Sequence, residues 1–510
     1  MKKVLLSAFA CVLGSSIVFA QGGNFQGFQR NRQSETPGEK VSENPFFEIA
    51  DSVTKHSINL PSGPLDYTAT AAQIPLRNSN GDVECRMFYV AYTKDGADPS
   101  KRPVTFAFNG GPGSATLWLH MGALGPKRAP LLDDGSLPAS PYKPVDNEDT
   151  WLDFTDVVCI DAPNTGYSRI EDQSLASRYF GVRPDIQAFT NFVTEWLKKH
   201  DRWSSPIFIA GESYGGIRGS GLSASLFQAG VAVNGFISIS GTNNFMTLDG
   251  MRGNDTTYIS FFPSMAACAW YHHKLDPKFK TVESVVNEAE QFVNDEYAAA
   301  LQRGDSLTAT EKDHIAQKMS EYLGLSKDYC LGSNLRVTEF AFFRELLRDQ
   351  RLTIGRYDGR LTGKEETKNG DRGSGDPSND ATEAPFTTSI NQYFEDDLGV
   401  KTKMPYMTSG NVRPWTEQEG SYSETASDLR RLIARDPHFH VLYCCGYYDL
   451  ACPLYGTIYM FNHMGLDDES RKQVSFAYFP AGHMMYIEKV SRHKLHEDVK
   501  RFEASVLSGA

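Results

Sequence analysis

The stretch Ile207-Phe208-Ile209-Ala210-Gly211-Glu212-Ser213-Tyr214-Gly215-Gly216 runs four apolar residues straight into the pattern G-x-S-x-G. A helix-compatible segment, 219–228, follows it. Strand, sharp turn and helix in that order are the setting of a nucleophile elbow. Glycines flank the serine there because the turn brings neighbouring backbone too close for a Cβ. The bare pattern also describes an ordinary glycine turn with a surface serine, so the rest of the chain has to decide.

A serine hydroxyl becomes a useful nucleophile only when a histidine takes its proton and an acid orients that histidine. On α/β-hydrolase scaffolds the order is Ser, then Asp or Glu, then His. The chain supplies Gly446-Tyr447-Tyr448-Asp449 after the apolar run 439–444, and Ala481-Gly482-His483 after the run 474–479. Ser213, Asp449 and His483 would then lie just beyond the carboxyl ends of strands, where open α/β sheets place their sites. Asn109-Gly110-Gly111-Pro112-Gly113 follows another run, 104–108. Adjacent glycines let backbone N–H groups approach a ligand oxygen, as the tetrahedral intermediate of acyl transfer requires.

Further short apolar runs at 157–160 and 236–239 are unbroken rather than alternating, which suits strands covered on both faces. Between two of the runs, Ile186, Phe189, Val193, Trp196 and Leu197 recur at helical spacing within 182–199. Strands alternating with helices predict an α/β fold with a mostly parallel central sheet flanked by helices. From about residue 244 to 404 the pattern turns mainly helical. It contains a helix from Val282 to about Leu301, a capping box at Thr310 and Asp313 opening another through Tyr322, and part of a third at 340–347. The expected organisation is therefore a core at 44–243, a mainly helical cap insertion at 244–404, and the rest of the core at 405–510. Within the cap, 364–383 has almost no apolar bulk and reads as a mobile or disordered loop.

Lys2 and Lys3 precede an apolar run ending at Val18-Phe19-Ala20, the form of a cleaved secretory signal peptide over 1–20. Residues 21–43 are polar and read as a flexible spacer. Later runs fall short of the ~18 apolar residues of a membrane span. Export predicts a periplasmic or extracellular protein. The net charge of −12 at pH 7 argues against a nucleic-acid partner, whose footprint is a basic patch. The expected mature chain keeps Cys85, Cys159, Cys268, Cys330, Cys444, Cys445 and Cys452, an odd set that leaves at least one thiol unpaired. His438 with His440, and His272 with His273, lack the further ligands of a metal site. Neither a metal nor an organic cofactor is expected.

Taken together, Phe108-Asn109-Gly110-Gly111-Pro112-Gly113-Ser114, Asp161-Ala162-Pro163 with Gly166-Tyr167-Ser168, Gly211–Gly216, Asp449 with Cys452, and Ala481-Gly482-His483-Met484 resemble the serine carboxypeptidase family. The resemblance implies an α/β-hydrolase that removes C-terminal residues from peptides through an acyl-enzyme. It casts Ser213 as nucleophile, His483 as base and Asp449 as its orienter. It assigns the oxyanion hole to the amides of Gly111 and Tyr214, and the substrate's terminal carboxylate to Asn109, Gly110 and Glu212. A glutamate against a carboxylate must share a proton, so such an enzyme is expected to prefer acidic pH. Two positions depart from the family: Ala107 stands where it usually has Trp, and Met485-Tyr486 where it has Val-Pro. Arg218 is expected in a buried ion pair. The rival expectations are an esterase or acyltransferase on the same scaffold, whose substrate needs no terminal carboxylate site, and a secreted binding protein with a dead site.

Overall fold

The computed structural model describes residues 43–370, 375–416 and 422–509. The expected signal peptide, and all but the last residue of the expected spacer, lie outside the described residues.

Nine strands build the main path of the central sheet: β1 Ser52–Leu60, β2 Gly63–Arg77, β3 Val83–Lys94, β4 Val104–Phe108, β5 Asp156–Ile160, β6 Ile207–Glu212, β7 Gly235–Ile239, β8 His440–Gly446 and β9 Val474–Phe479. Their order is β1-β2-β3-β5-β4-β6-β7-β8-β9. From β5 to β9 every neighbouring pair is parallel. β1, β2 and β3 form an antiparallel meander whose last strand joins β5 antiparallel.

Both faces of the parallel part are covered, which is why its strands carry no polar alternation. Phe106 and Phe108 of β4, with Ile207 and Ile209 of β6, point into one hydrophobic core. Ala107, Phe208 and Ala210 between them point into the other. Helix α1, Val182–Lys199, lays Phe189, Val193, Trp196 and Leu197 onto the first core, and Ile186 onto a smaller cluster with Tyr214 and Ile217. α2, Gly215–Gln228, starts directly after the serine turn. The C-terminal helix, Lys489–Ser508, covers the second core with Leu495, Val499 and Phe502. A mostly parallel sheet flanked in this way, with its serine turn after a central strand, is the α/β-hydrolase fold.

Between β7 and β8 the chain forms α3 Thr256–Tyr271, α4 Val282–Phe292, α5 Ala309–Leu323 and α6 Glu339–Glu345. A hairpin of Leu352–Ile354 with Thr362–Lys364 comes next, then α7 Pro377–Gln392. Two expectations are corrected here. The capping box of α5 is Thr308 with Glu311, not Thr310 with Asp313: Thr308 Oγ1 accepts from the Glu311 amide and Glu311 reaches back to the Thr308 amide. The polar stretch 364–383 is not structureless among its described residues. Asp376 caps α7 and Pro377 occupies its first turn, both helix-start signals that outweigh the polar composition. α7 then packs through small side chains, with Ser378, Ala381 and Thr382 buried. The meander β1–β3 precedes the apolar run at Val104, and the apolar runs gave no sign of it. The seven cysteines from Cys85 to Cys452 are all buried and all unpaired.

Candidate active site

The serine turn is strained in the way the elbow requires. Ser213 has φ 62°, a left-handed conformation that an ordinary side chain adopts at a cost of about 1 kcal/mol or more. Neighbouring strands hold it there. The Ser213 amide donates to the Ile239 carbonyl at the end of β7 at 3.1 Å, and its carbonyl accepts from the Gly216 amide at 2.8 Å.

The glycine loop lies directly against this turn. A Cβ on Gly110 would come within 2.5 Å of the Tyr214 nitrogen, and Gly111 has φ +108°. Glycine is therefore required at both positions: at one by close approach of two backbones, at the other by conformation. Arg218 braces the loop from behind. It is 1% exposed, pairs with Asp185 of α1 at 2.8 Å, and donates to the Asn109 carbonyl at 2.6 Å. The buried ion pair expected for Arg218 is thus present, and it ties helix α1 to the loop.

On the other side of the turn, His483 Nδ1 faces Asp449 Oδ2 at 2.8 Å. Asp449 is fully buried, and its second oxygen accepts from the amides of Ala451 at 2.7 Å and Cys452 at 2.9 Å. Those amides fix the carboxylate, the carboxylate orients the imidazole through Nδ1, and Nε2 is left free of it. Burial disfavours the His483 cation, but the Asp449 carboxylate outweighs it and His483 is held above its ordinary value. Ser213 Oγ lies 3.9 Å from Cys452 Sγ and, among the described residues, makes no hydrogen bond to His483. Such contacts are often long without substrate.

Asn109 and Glu212 are joined side chain to side chain. Asn109 Nδ2 donates to Glu212 Oε1 at 2.8 Å, while Asn109 Oδ1 is oriented by the Leu119 amide at 3.0 Å. Tyr486 completes the group: its hydroxyl donates to Glu212 Oε2 at 2.5 Å. Burial pushes the Glu212 carboxyl up to about 7, with the Asp449 charge adding to it and His483, Tyr486 and Asn109 pulling it back.

These residues share one cleft of about 140 Å³, lined by Asn109, Gly110, Gly111, Glu212, Ser213 and His483 from the sheet side. Its opposite wall is Arg356, Tyr357, Asn379 and Thr382 from the cap. Sequence reasoning missed that wall. Ala107 is buried in the second core and does not line the cleft. Tyr486 was visible only as a departure from the family, without a partner. The cap also supports the histidine. The Tyr357 carbonyl accepts from the His483 amide at 2.5 Å, and Asp358 Oδ2 accepts from the Gly482 amide at 3.2 Å. The dense run Gly355-Arg356-Tyr357-Asp358-Gly359-Arg360, charged and aromatic residues between glycines, was the one signal in the sequence that could have pointed there.

Known proteins are similar to this chain in the same sense. A serine carboxypeptidase-like 45 of Arabidopsis thaliana is 23% identical over 298 residues, covering 55% of this chain and 60% of that protein. A pheromone-processing carboxypeptidase KEX1 of Phytophthora infestans is 26% identical over 176 residues, covering 31% of this chain and 26% of that protein. The chain thus spans less than two thirds of the length of the curated relatives it matches. Among solved structures, KEX1(delta)p, a prohormone-processing carboxypeptidase from Saccharomyces cerevisiae, aligns with a TM-score of 0.49 at 16% identity, over 85% of this chain and 91% of that one. The family model described as serine carboxypeptidase matches residues 76–491, which is most of the chain and takes in the glycine loop, the serine turn and the Asp449–His483 pair; the chain belongs to the serine carboxypeptidase family.

Proposed function

We propose that this chain is an exported serine carboxypeptidase that works best at acidic pH. Ser213 Oγ attacks the carbonyl carbon of the last peptide bond and passes its proton to His483 Nε2. Asp449 stabilises the imidazolium that forms. The oxyanion is received by the amides of Gly111 and Tyr214. When the intermediate collapses, His483 returns the proton to the leaving nitrogen, the C-terminal amino acid departs, and an acyl-enzyme on Ser213 remains. Water then repeats the sequence and releases the shortened peptide.

The observation that carries the exopeptidase reading is Glu212. A carboxyl with both oxygens hydrogen-bonded, buried in the cleft beside the serine and pushed up to about 7, is neutral below that pH. Neutral, it can share its proton with a substrate's terminal carboxylate. Ionised, it repels that carboxylate. The sign is therefore fixed: binding of a free C-terminus weakens as pH rises through about 7. A simple ester has no group for Asn109, Gly110 and Glu212 to hold, so this arrangement favours a peptidase over an esterase.

The site is assembled from protein groups alone in this mechanism, and peptide or protein C-termini are its substrates. Export rests on residues 1–20; among the described residues no helix is long and apolar enough to cross a membrane. N-terminal sequencing of the secreted chain would test cleavage after Ala20. The reaction is tested by a mass-spectrometric time course on a mixed peptide library at acidic and neutral pH, beside Ser213→Ala. Stepwise loss of single C-terminal residues, faster at acidic pH and reduced by roughly 10⁴-fold or more in the variant, is expected. Intact peptides with Ser213-dependent ester hydrolysis would move the function to an esterase.

A further inference from the structure

The cap loop that faces Ser213 carries two arginines with opposite surroundings. Arg360 is fully engaged: its guanidinium pairs with Asp358 at 2.6 Å and donates to the Pro480 carbonyl at 2.8 Å. Arg356, four residues earlier, lines the catalytic cleft. Its guanidinium makes one long hydrogen bond, Nη1 to the hydroxyl of its neighbour Tyr357 at 3.4 Å, and stacks on the same ring at 5.3 Å. Among the described residues it forms no ion pair. The buried Arg86, Arg202, Arg218 and Arg492 each pair with a carboxylate.

The loop is held firmly enough to present that charge. The Arg356 amide donates to Asp376 Oδ1 at 3.1 Å, the Tyr357 amide donates to Ser378 Oγ at 3.1 Å, and the Tyr357 carbonyl receives the His483 amide. The Arg356 backbone is thus anchored to the start of α7 and, through the next residue, to the catalytic histidine. A guanidinium stays charged throughout the useful pH range and presents a planar fork of donors matched to a carboxylate. A half-buried cation that forms no ion pair among the described residues, in a cleft where substrate must sit, is a receptor for an anion that the substrate brings.

Resting on the carboxypeptidase reading of the site, we propose that Arg356 is a specificity-determining residue that binds a substrate carboxylate, so that the enzyme selects acidic peptide ends. That carboxylate has two possible sources. One is the side chain of Asp or Glu in the last or penultimate residue. The other is the chain terminus itself, which Arg356 would then hold together with Asn109 and Glu212. The terminus already has receptors in that pair, so the acidic side chain is the source the geometry favours.

The test is calorimetric binding to the full-length mature chain carrying Ser213→Ala, with and without Arg356→Met or Arg356→Lys. The probes are N-acetyl tripeptides differing only by Glu against Gln at the last or the penultimate position, and the same peptides as C-terminal amides. With an acidic side chain as the source, the Glu member of one pair binds tenfold or more tighter than its Gln member. Arg356→Met then abolishes the difference and Arg356→Lys keeps part of it. With the terminus as the source, Glu and Gln members bind alike, Arg356→Met weakens all free acids about equally, and the amides are unaffected by it. Arg356→Met leaving every affinity within twofold would overturn the proposal, as would weakening of the Gln amides, which carry no carboxylate, to the same extent as the acids, the mark of a merely structural role. Turnover by the wild-type chain separates this from the underlying reading. Peptides left intact beside hydrolysed esters would remove the carboxypeptidase, while the binding experiment would still decide whether Arg356 receives a carboxylate.

Discussion

The sheet-borne wall of the cleft holds Asn109, Glu212, Ser213, Asp449 and His483 within four residues of the ends of β4, β6, β8 and β9. The cap-borne wall holds Arg356 and Tyr357 on a loop, and Asn379 and Thr382 on the first turns of α7. The first wall is positioned by the register of parallel strands, fixed from both sides for β4, β6 and β8 and from one side for the edge strand β9. The second is positioned by a few side-chain caps, such as Asp376 and Ser378. The proton-transfer chemistry proposed above lies on the rigid wall, where an error of an ångström would be costly. Groups proposed to meet the variable part of a substrate lie on the wall that insertions can rebuild without disturbing the sheet. The division is incomplete, because the cap also grips the catalytic histidine loop through the Tyr357 carbonyl and Asp358.

Three changes would break or sharpen this contrast. Asp449→Asn strikes the rigid wall alone. It is expected to lower kcat by roughly 10³–10⁴-fold on peptides and esters alike, because the imidazole loses its orienting charge on every substrate. Steady-state kinetics on one substrate of each kind checks it; a loss confined to peptides would show that Asp449 acts in recognition instead. Asp358→Ala strikes the link between the walls. It removes the partner of Arg360 and the acceptor of the Gly482 amide. A loss of about 3 kcal/mol in unfolding free energy is expected, since a buried pair broken on one side leaves an unpaired charge. Chemical denaturation measures this, and unchanged stability would mean that the cap rests on the histidine loop without holding it.

The smallest effect concerns pH. On peptides the kcat/KM profile should be a narrow bell on the weakly acidic side of 7, falling above about 7 where Glu212 ionises and falling again at lower pH where His483, held above its ordinary value, takes a proton. On a simple ester the alkaline limb should vanish and the acid limb should remain. Tyr486→Phe removes a hydrogen bond that pulls the Glu212 value down. Its alkaline limb on peptides should therefore move to higher pH, by about one unit or less, with the ester profile unchanged. A move to lower pH would show that the tyrosine stabilises the neutral carboxyl rather than the charged one.

How much of this was legible follows the same line. The strands Val104–Phe108 and Val474–Phe479 and the helix Val182–Lys199 have the same ends in the sequence reading and in the fold. An unbroken apolar run or a 3.6-residue period is a local consequence of burial on two faces or one. The meander was less legible. Ser52–Leu60 carries Lys55, His56 and Asn59 on a half-covered edge, and only its pairing with β2 makes it a strand. The start of helix α7 was hidden for a related reason: its first turns bury serine, alanine and threonine, which composition scores as loop, and its apolar Phe386 and Ile390 come only later.

The motifs after strands, in the order Ser213, Asp449 and His483, are local features, and the sequence by itself determined them together with the α/β class and the family. Distances between residues hundreds of positions apart are set by packing, and only the tertiary structure decided those. It set Tyr486 against Glu212, Arg218 between Asp185 and the Asn109 carbonyl, and Arg356 in the cleft without an ion pair among the described residues. Chain order specifies which groups a parallel sheet can bring to one edge. The packing of the cap and the C-terminal segment over that edge specifies which charges they meet there.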